Sequence, residues 1–187
     1  MGGTVVDNEF AYQQKDVDFK SLLIKIRRSK PDVIFVPGYY SEVALILKQA
    51  RQMRITVPIL GGDGWDSPTL QKLAGSGVKN TYISSHFSSE DSDEKVKNFV
   101  KSYKETYNET PGAMAALGYD ALFVLANALE RSKDFTPVEI KAAINSTKDF
   151  QGVTGKISLD QNRDAIKSAV VLEVTEQGNK FNQKVTP

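Results

Sequence analysis

The chain of 187 residues contains no cysteine, one histidine and one tryptophan. The lack of cysteine excludes disulfides and thiolate metal sites, and it fits any redox compartment. The single histidine, His86, follows an apolar run, and we expect it to have a structural role. With no cysteine and one histidine, the chain has almost none of the residues that form the usual pairs of catalytic nucleophile and base. We therefore expect neither a catalytic site nor a metal or cofactor site.

Charge of one sign and long apolar runs are also lacking. The 24 basic and 23 acidic residues are well mixed and give a net charge of +1, so no basic surface for nucleic acid is expected. No apolar run approaches the roughly 18 residues of a membrane span, so we predict no membrane insertion. The first residues, Met-Gly-Gly-Thr-Val-Val, do not resemble a signal peptide. As written, the chain is expected to stay in the cytoplasm.

Sequence motifs of the common enzyme classes are missing as well. The chain has no G-x-S-x-G elbow, no H-E-x-x-H, no P-loop and no G-x-G-x-x-G after a predicted strand. Paired carboxylates occur in any chain of this composition, and none of them is singled out here. The sequence therefore predicts a protein that is not an enzyme.

Short apolar runs alternate with amphipathic helical patterns in the first half of the chain. We predict four strands, at Thr4–Val6, Val33–Val36, Pro58–Leu60 and Thr81–Ser84. Such alternation is typical of a doubly wound parallel α/β sheet with right-handed crossovers. The sequence predicts this fold class for residues 4–88.

Capping residues mark the expected beginnings of helices. Asp16 is predicted to cap the first helix, and Ser67 with Pro68 is predicted to open a short one. Thr136 and Glu139 form a capping box before a helix late in the chain.

The pattern changes after residue 91, where three helices follow one another. Strands are then predicted at Lys156–Leu159 and Ala169–Val174, paired antiparallel with each other. Such a run of helices indicates that the chain leaves one lobe, contributes helices to another lobe and then returns to the first. We therefore predict three segments, 1–88, 89–148 and 149–187.

Two glycine-rich loops carry the best candidates for a binding site. Gly38-Tyr39-Tyr40 follows the strand at Val33–Val36, and Gly61-Gly62-Asp63-Gly64-Trp65 follows the strand at Pro58–Leu60. Ligands of open parallel sheets bind beyond the carboxyl ends of the strands, and neighbouring strands lie about 4.8 Å apart. A carboxylate among glycines and aromatic rings suits a small cation such as an α-ammonium group. The candidate ligand-binding residues are Tyr39, Asp63, Tyr40 and Trp65.

Each candidate also has a purely structural interpretation. Tyr39 or Tyr40 could cover a sheet edge, Asp63 could form a turn, and Trp65 could pack in the core. Asp66 fits a cap or turn residue better than a ligand group. The residues alone leave these alternatives open.

At these loops the sequence resembles the leucine/isoleucine/valine-binding proteins, which have the type I periplasmic binding fold and serve ABC importers of branched-chain amino acids. The resemblance covers essentially the whole chain, and it depends on an ordered set of segments rather than on one motif. These segments are Pro31–Phe35, Gly38–Glu42, Lys48–Arg51, Gly61–Asp66, Ala115–Ala121 and Phe150–Gly155.

The resemblance implies roles for the candidate residues and for the three segments. It implies that Tyr39 provides an aromatic contact and that Asp63 accepts the ligand's α-ammonium group, with Tyr40 and Trp65 as neighbours. Segment 1–88 would belong to the second lobe, without that lobe's first strand and helix. Segment 89–148 would supply helices of the first lobe, and 149–187 would return to the second. The parent protein would be periplasmic and would dock on a transporter permease.

Most of the first lobe of the family has no counterpart in this sequence. Because ligands of the family are enclosed between two lobes, we expect this chain alone to bind an amino acid weakly or not at all. The absent strand should leave backbone groups unpaired, so we expect a homodimer or docking with a complementary lobe. The cargo is expected to be an aliphatic amino acid or a similar small metabolite. A sensor or regulatory domain of the same fold is the alternative, whereas a phosphoacceptor receiver domain is disfavoured because Pro37 stands where it needs an aspartate.

Overall fold

The computed structural model describes residues 2–6 and 10–186, which form two compact units. Unit 1 contains Met1–Ser84 and Leu172–Lys180, and unit 2 contains Ser85–Val171 and Phe181–Pro187. The segment 149–187 is therefore divided between the units, with residues 149–171 in unit 2.

Helices and strands alternate in the first half of the described chain, and three helices followed by five strands make up the second half. The helices are α1 (Lys20–Arg28), α2 (Tyr40–Gln52), α3 (Pro68–Ala74), α4 (Glu94–Tyr107), α5 (Ala113–Arg131) and α6 (Pro137–Asn145), with 3₁₀ turns at Asp63–Trp65 and Gly75–Val78. The strands are β1 (Ile34–Phe35), β2 (Ile59–Gly61), β3 (Thr81–Ser85), β4 (Phe150–Gly152), β5 (Gly155–Leu159), β6 (Ala165–Ile166), β7 (Ala169–Thr175) and β8 (Gly178–Val185).

The strands form one five-stranded sheet of order β1-β2-β3-β7-β8 and one three-stranded sheet of order β4-β5-β6. In the larger sheet β1 runs parallel to β2, with Ile34 opposite Ile59, and β2 runs parallel to β3, with Ile59 opposite Thr81. The predicted doubly wound parallel arrangement of the first half of the chain is thereby confirmed.

The predicted pairing of the late strands is wrong. β5 pairs antiparallel with β4 and β6, whereas β7 belongs to the larger sheet. The reason is local, since only Val153 and Thr154 separate β4 from β5 and a two-residue connection suits an antiparallel hairpin.

The strand predicted at Thr4–Val6 is not formed. These residues have no regular secondary structure, and the side chains of Val5 and Val6 are 75% and 57% exposed. A strand is defined by its backbone partner, and none is paired with these residues in the described part of the chain. Apolar, β-branched composition alone was therefore insufficient.

The first helix begins later than predicted. The Asp16 carboxylate accepts a hydrogen bond from the Gln13 N–H at 2.8 Å and closes a turn, whereas the N-cap residue of α1 is Phe19. The Phe19 N–H donates to the Gln49 side-chain oxygen at 2.8 Å. The Lys20 N–H, at the first position of α1, donates to the nearby Asp18 carboxylate at 3.1 Å. Phe19 itself is buried.

Unit 1 is held together by apolar contacts and by one half-buried arginine. Leu23 of α1, Val43 of α2 and Ile59 of β2 are almost completely buried. At the end of α2, the Arg51 guanidinium donates to the carbonyls of Ile55 and Val57 and to those of Lys79 and Asn80, which precede β3. Burial lowers the pKa of Arg51 from its ordinary value. These bonds fix α2 against the amino ends of the strands.

Unit 2 has its own core between α4, α5 and the β4–β5 hairpin. Its members are Phe87, Val96, Phe99, Val100, Ala113, Ala116 and Val153. Two predicted caps are confirmed, since Thr136 accepts from the Glu139 N–H in unit 2 and Ser67 accepts from the Thr69 N–H in unit 1. Asp93 accepts from the Lys95 N–H and caps α4.

Helix α5 corrects the expectation that no segment is apolar and long enough to cross a membrane. It passes that test by length and composition only, and 22% of its apolar window is buried. Its Asp120 is buried and accepts hydrogen bonds from Val153 and Thr154. These bonds connect α5 to the turn between β4 and β5.

Candidate functional site

The two glycine-rich loops leave neighbouring strands at the same edge of the sheet. β1 and β2 are adjacent and parallel, with Phe35 opposite Leu60. The first loop follows β1 and leads into α2, and the second follows β2 and forms the 3₁₀ turn Asp63–Trp65. The predicted adjacency of the two parent strands is confirmed.

The two loops also touch each other. A β-carbon placed on Gly64 would lie 2.6 Å from the Gly38 carbonyl oxygen and 3.3 Å from Cδ1 of Tyr39. The second loop therefore needs glycine at this position, because any side chain would meet the first loop. Tyr39 is 67% exposed, and Asp63, the residue before Gly64, is exposed as well. An accessible aromatic side chain and a carboxylate-bearing turn are thus brought together.

Tyr39 and Tyr40 occupy the first positions of α2. Tyr39 is the N-cap residue, with extended backbone angles, and its carbonyl accepts from the Val43 N–H at 3.2 Å. Tyr40 is the first residue of the helix and is 38% exposed. The helix therefore fixes the backbone of both tyrosines while their side chains remain accessible.

Trp65 differs from the other three candidates, because it has no exposed surface. A β-carbon on Gly61 would lie 2.2 Å from its Cε2 atom, so the indole ring packs flat against the Gly61 backbone. A side chain without accessible surface cannot line a binding site. The expectation of a ligand-contacting Trp65 is therefore corrected. Trp65 ends the 3₁₀ turn that begins at Asp63, and its buried ring anchors that turn to β2 at Gly61.

A hydrogen-bonded chain from the β7–β8 hairpin anchors the second loop. The Asn179 side-chain amide donates to Oδ1 of Asp66 at 2.7 Å and accepts from the Gln71 side chain at 2.9 Å. Asp66 thus holds the loop in place, in agreement with its interpretation as a turn residue. Asn179 was missed from the sequence, because 113 positions separate it from Asp66.

Tyr12 holds the first loop, and it was also missed from the sequence. Its hydroxyl donates to the Pro37 carbonyl at 2.7 Å. Gly38, at φ +147°, lies so close that a β-carbon there would fall 2.0 Å from the Tyr12 hydroxyl oxygen. Both the positive φ and this contact require glycine at position 38.

Glu42 is a buried acid beneath this loop. It accepts hydrogen bonds from the Lys15 backbone N–H at 2.9 Å and from the Ser41 hydroxyl. The bond from Ser41, followed by that from Lys15, holds the pKa of Glu42 below its ordinary value. Burial, and secondly the charge of Glu42, raises the pKa of Tyr12. The segment carrying Tyr12 and Lys15 is thereby fastened to the start of α2.

Within residues 2–6 and 10–186, no group of three or more His, Asp or Glu side chains is placed to hold a metal ion. The candidate site thus consists of two exposed tyrosines and one acidic turn at the edge of the larger sheet. Such a surface is suited to an amine-bearing small molecule with an apolar part.

The family model described as "Periplasmic binding protein" matches residues 1–179. The chain belongs to this family, and its fold is that of the type I members related to the branched-chain amino-acid-binding proteins. The family is one of substrate-binding proteins rather than enzymes.

Among curated proteins, Leu/Ile/Val-binding protein homolog 1 of Brucella suis is 28% identical over 167 residues, which are 88% of this chain and 44% of that protein. Among solved structures, the leucine-binding protein LivK of Thermotoga maritima is 40% identical with a TM-score of 0.86. LivJ of Streptococcus pneumoniae, solved in complex with isoleucine, is 36% identical with a TM-score of 0.81. Each of these two matches covers 94% of this chain and 51% of the other. The chain therefore spans about half the length of its relatives.

Proposed function

We propose that this chain is part of the solute-recognition component of an ABC importer and contributes one side of a binding site for an aliphatic, branched-chain amino acid. The carboxylate of Asp63 accepts the ligand's α-ammonium group, Tyr39 forms an aromatic wall, and Tyr40 lies beside it. The contact of Gly64 with Gly38 and Tyr39 carries this proposal, because it unites the two loops. The names of the relatives, which include leucine and isoleucine, support the choice of cargo.

The parent protein is proposed to work outside the cytoplasmic membrane, like the family whose description is periplasmic, and to deliver its ligand to a transporter permease. Of the two associations predicted from the sequence, a homodimer and a complementary lobe, we favour the complementary lobe. The supporting observation is that the relatives are about twice as long as the matched region.

The chain by itself is expected to bind leucine or isoleucine weakly or not at all. A small-molecule site normally buries some 70–90% of its ligand, whereas Tyr39 and Asp63 lie on an open surface. Isothermal titration of the purified chain with leucine should show no heat of binding at micromolar concentrations. Nanomolar affinity in this experiment would contradict the half-site proposal.

A chimaera tests the role of Asp63 directly. In it, this chain replaces the matching half of the Thermotoga leucine-binding protein, to which it is 40% identical. Replacing Asp63 by asparagine in the chimaera is expected to weaken leucine binding by about 30-fold or more, because removing one partner of an enclosed charged pair costs about 2–5 kcal/mol.

Asp32→Asn is the matched control in the same chimaera. Asp32 is also an exposed aspartate, but it precedes β1 and so lies at the opposite end of that strand from the tyrosine loop. Its replacement should leave leucine affinity within about twofold, as expected for a surface change distant from the ligand. Equal effects of the two substitutions would remove Asp63 from the site.

A further inference from the structure

Two backbone hydrogen bonds close the 3₁₀ turn that carries Asp63. The Asp66 N–H donates to the Asp63 carbonyl at 2.9 Å, and the Trp65 N–H donates to the Gly62 carbonyl at 3.2 Å. Bonds in 3₁₀ segments have poorer geometry than those of α-helices. The Trp65 ring fixes the turn on one side. The direction in which the turn faces therefore depends further on Asp66, the residue that caps its end.

The Asp66 side chain is held from the β7–β8 hairpin by Asn179, and both residues belong to unit 1. Because a carboxylate only accepts hydrogen bonds, the Asn179 amide must direct its NH₂ group at Asp66 and its oxygen elsewhere. That oxygen accepts from the NH₂ group of Gln71, on α3, at 2.9 Å. The bonds to Asp66 and from Gln71 therefore leave the Asn179 amide a single orientation.

Gln71 maintains this orientation although its own oxygen remains unsatisfied. With its NH₂ group directed at Asn179, its side-chain oxygen is buried and has no hydrogen-bond donor in the described part of the chain. Turning the Gln71 amide over would place its oxygen against the oxygen of Asn179. A buried acceptor without a partner is unfavourable. The structure thus tolerates one unsatisfied acceptor and keeps Asn179 directed at Asp66.

The backbone that carries Asn179 is fixed as well. The Thr175 hydroxyl donates to the Gly178 carbonyl at 2.7 Å and closes the turn between β7 and β8. Gly178 has φ +134°, a conformation that glycine adopts readily. Leu172 and Val174 of β7 are buried. Asn179 therefore extends from an anchored hairpin rather than from a loose surface loop.

We propose that Asn179 is a positioning residue of the amino-acid site. Through Asp66 it sets the direction in which the turn presents the Asp63 carboxylate to the α-ammonium group of the ligand, and it acts without touching the ligand. This inference rests on the proposed function. It adds to that function a determinant of affinity from the last hairpin of the chain.

Hydrogen exchange in the isolated chain tests the positioning of the turn without any ligand. In Asn179→Ala the Asp66 amide is expected to exchange about tenfold faster than in the unmodified chain, because this N–H closes the turn and the turn opens more often without its anchor. Gln177→Ala is the matched control, since Gln177 is an exposed amide residue of the same hairpin. It should change the exchange rate by less than about twofold.

Leucine affinity is then measured in the chimaera. Asn179→Ala is expected to weaken leucine binding by about tenfold, the usual effect of losing one hydrogen bond to a charged group. Asn179→Asp keeps the size of the side chain but sets a carboxylate against that of Asp66, so it should weaken binding at least as much. Gln177→Ala should leave affinity within about twofold.

Gln71→Met separates positioning from stability, and it leaves the hairpin unchanged if Asn179→Ala does not fold. Methionine has a similar length and removes both the bond to Asn179 and the unsatisfied oxygen of Gln71. The melting temperature is therefore expected to stay the same or rise. Leucine binding by the chimaera should nevertheless weaken by about threefold, because the Asn179 amide becomes free to turn. Unchanged affinity in this variant would contradict the positioning role.

A double-mutant cycle shows whether Asn179 acts through Asp63. When Asp63 is already asparagine, Asn179→Ala should weaken leucine binding by less than about a further twofold, because the charge that it positions is gone. A full tenfold effect in that background would show that Asn179 acts by another route and would overturn the proposal.

The outcomes also separate this inference from the proposed function. If Asp63→Asn leaves leucine affinity unchanged, the amino-acid site fails, and the role of Asn179 fails with it. If Asp63→Asn weakens binding as expected but Asn179→Ala changes neither affinity nor the exchange of the Asp66 amide, the site stands and only the positioning role is overturned.

Discussion

Replacing Asp120 by alanine is expected to lower the free energy of unfolding by about 3–5 kcal/mol, the usual cost of removing one partner from a buried charged network. Asp120 lies on α5 and is 2% exposed. Its Oδ1 accepts from the Val153 N–H at 2.8 Å, and its Oδ2 accepts from the Thr154 N–H at 2.8 Å and from the Thr154 hydroxyl at 2.6 Å. One carboxylate thus satisfies both N–H groups of the β4–β5 turn.

The network extends to a lysine and allows little change in shape. Nζ of Lys167 donates to the Thr154 hydroxyl oxygen at 2.7 Å. Burial lowers the pKa of Lys167, and the charge of Asp120 opposes that effect. Gly152 lies against the carboxylate, since a β-carbon there would be 2.5 Å from Oδ2. Without Asp120, two turn N–H groups would lack an acceptor and Lys167 would lose its nearby negative charge.

Asp120→Asn is expected to be destabilising as well, although by less than the alanine variant. An amide can accept at only one of the two former carboxylate oxygens, and its NH₂ group would then face a backbone N–H. Urea denaturation followed by far-UV circular dichroism measures both effects. Asp164→Ala is the matched control, because Asp164 is an exposed aspartate in the same unit and should change stability by no more than about 0.5 kcal/mol. A midpoint of Asp120→Ala equal to that of the control would exclude the stabilising role.

The parts of the fold that the sequence predicted well are those decided by local signals. The caps at Ser67 and Thr136 depend on residues within a few positions of one another, and both are present as predicted. The position of the two glycine-rich loops could also be predicted, because the carboxyl ends of adjacent parallel strands meet at one edge. Their parent strands, β1 and β2, are neighbours.

The parts that could not be predicted depend on distant partners. The N–H of Phe19, the N-cap residue of α1, donates to the side chain of Gln49, which lies 30 positions away. The Asp16 carboxylate closes an earlier turn instead, so the local signal at Asp16 predicts the wrong start of the helix. Thr4–Val6 has the composition of a strand but no paired neighbour. The Ala115–Ala121 and Phe150–Gly155 segments were recognised separately, whereas their contact through Asp120 and Thr154 is visible only in the structure.

The interpretation of Trp65 failed for a related reason, since a tryptophan in a glycine-rich loop suits a ligand wall and a core position equally well. The absence of a β-carbon at the neighbouring Gly61 favours the core position, because it makes room for the indole ring. Gly61 leaves the space into which the indole ring packs, with Cε2 at 2.2 Å from where its β-carbon would be. Glycine before an aromatic residue is thus a signal for close packing of the ring on the backbone.

Trp65→Ala is expected to lower the free energy of unfolding by about 3–5 kcal/mol, as is usual when a fully buried tryptophan is truncated. Trp65→Phe should cost much less, under about 2 kcal/mol, for a specific reason. The indole N–H is buried and has no acceptor in the described part of the chain, so phenylalanine gives up no hydrogen bond and removes an unsatisfied donor.

Guanidinium denaturation followed by far-UV circular dichroism distinguishes the two variants without depending on tryptophan fluorescence. In the leucine-binding chimaera, Trp65→Phe should leave affinity within about threefold, because the ring supports the Asp63 turn and has no surface through which to touch a ligand. A phenylalanine variant as unstable as the alanine variant would show that the indole N–H is satisfied in solution. Loss of leucine binding in a phenylalanine variant of unchanged stability would return Trp65 to the ligand site, since only a direct contact would then account for it.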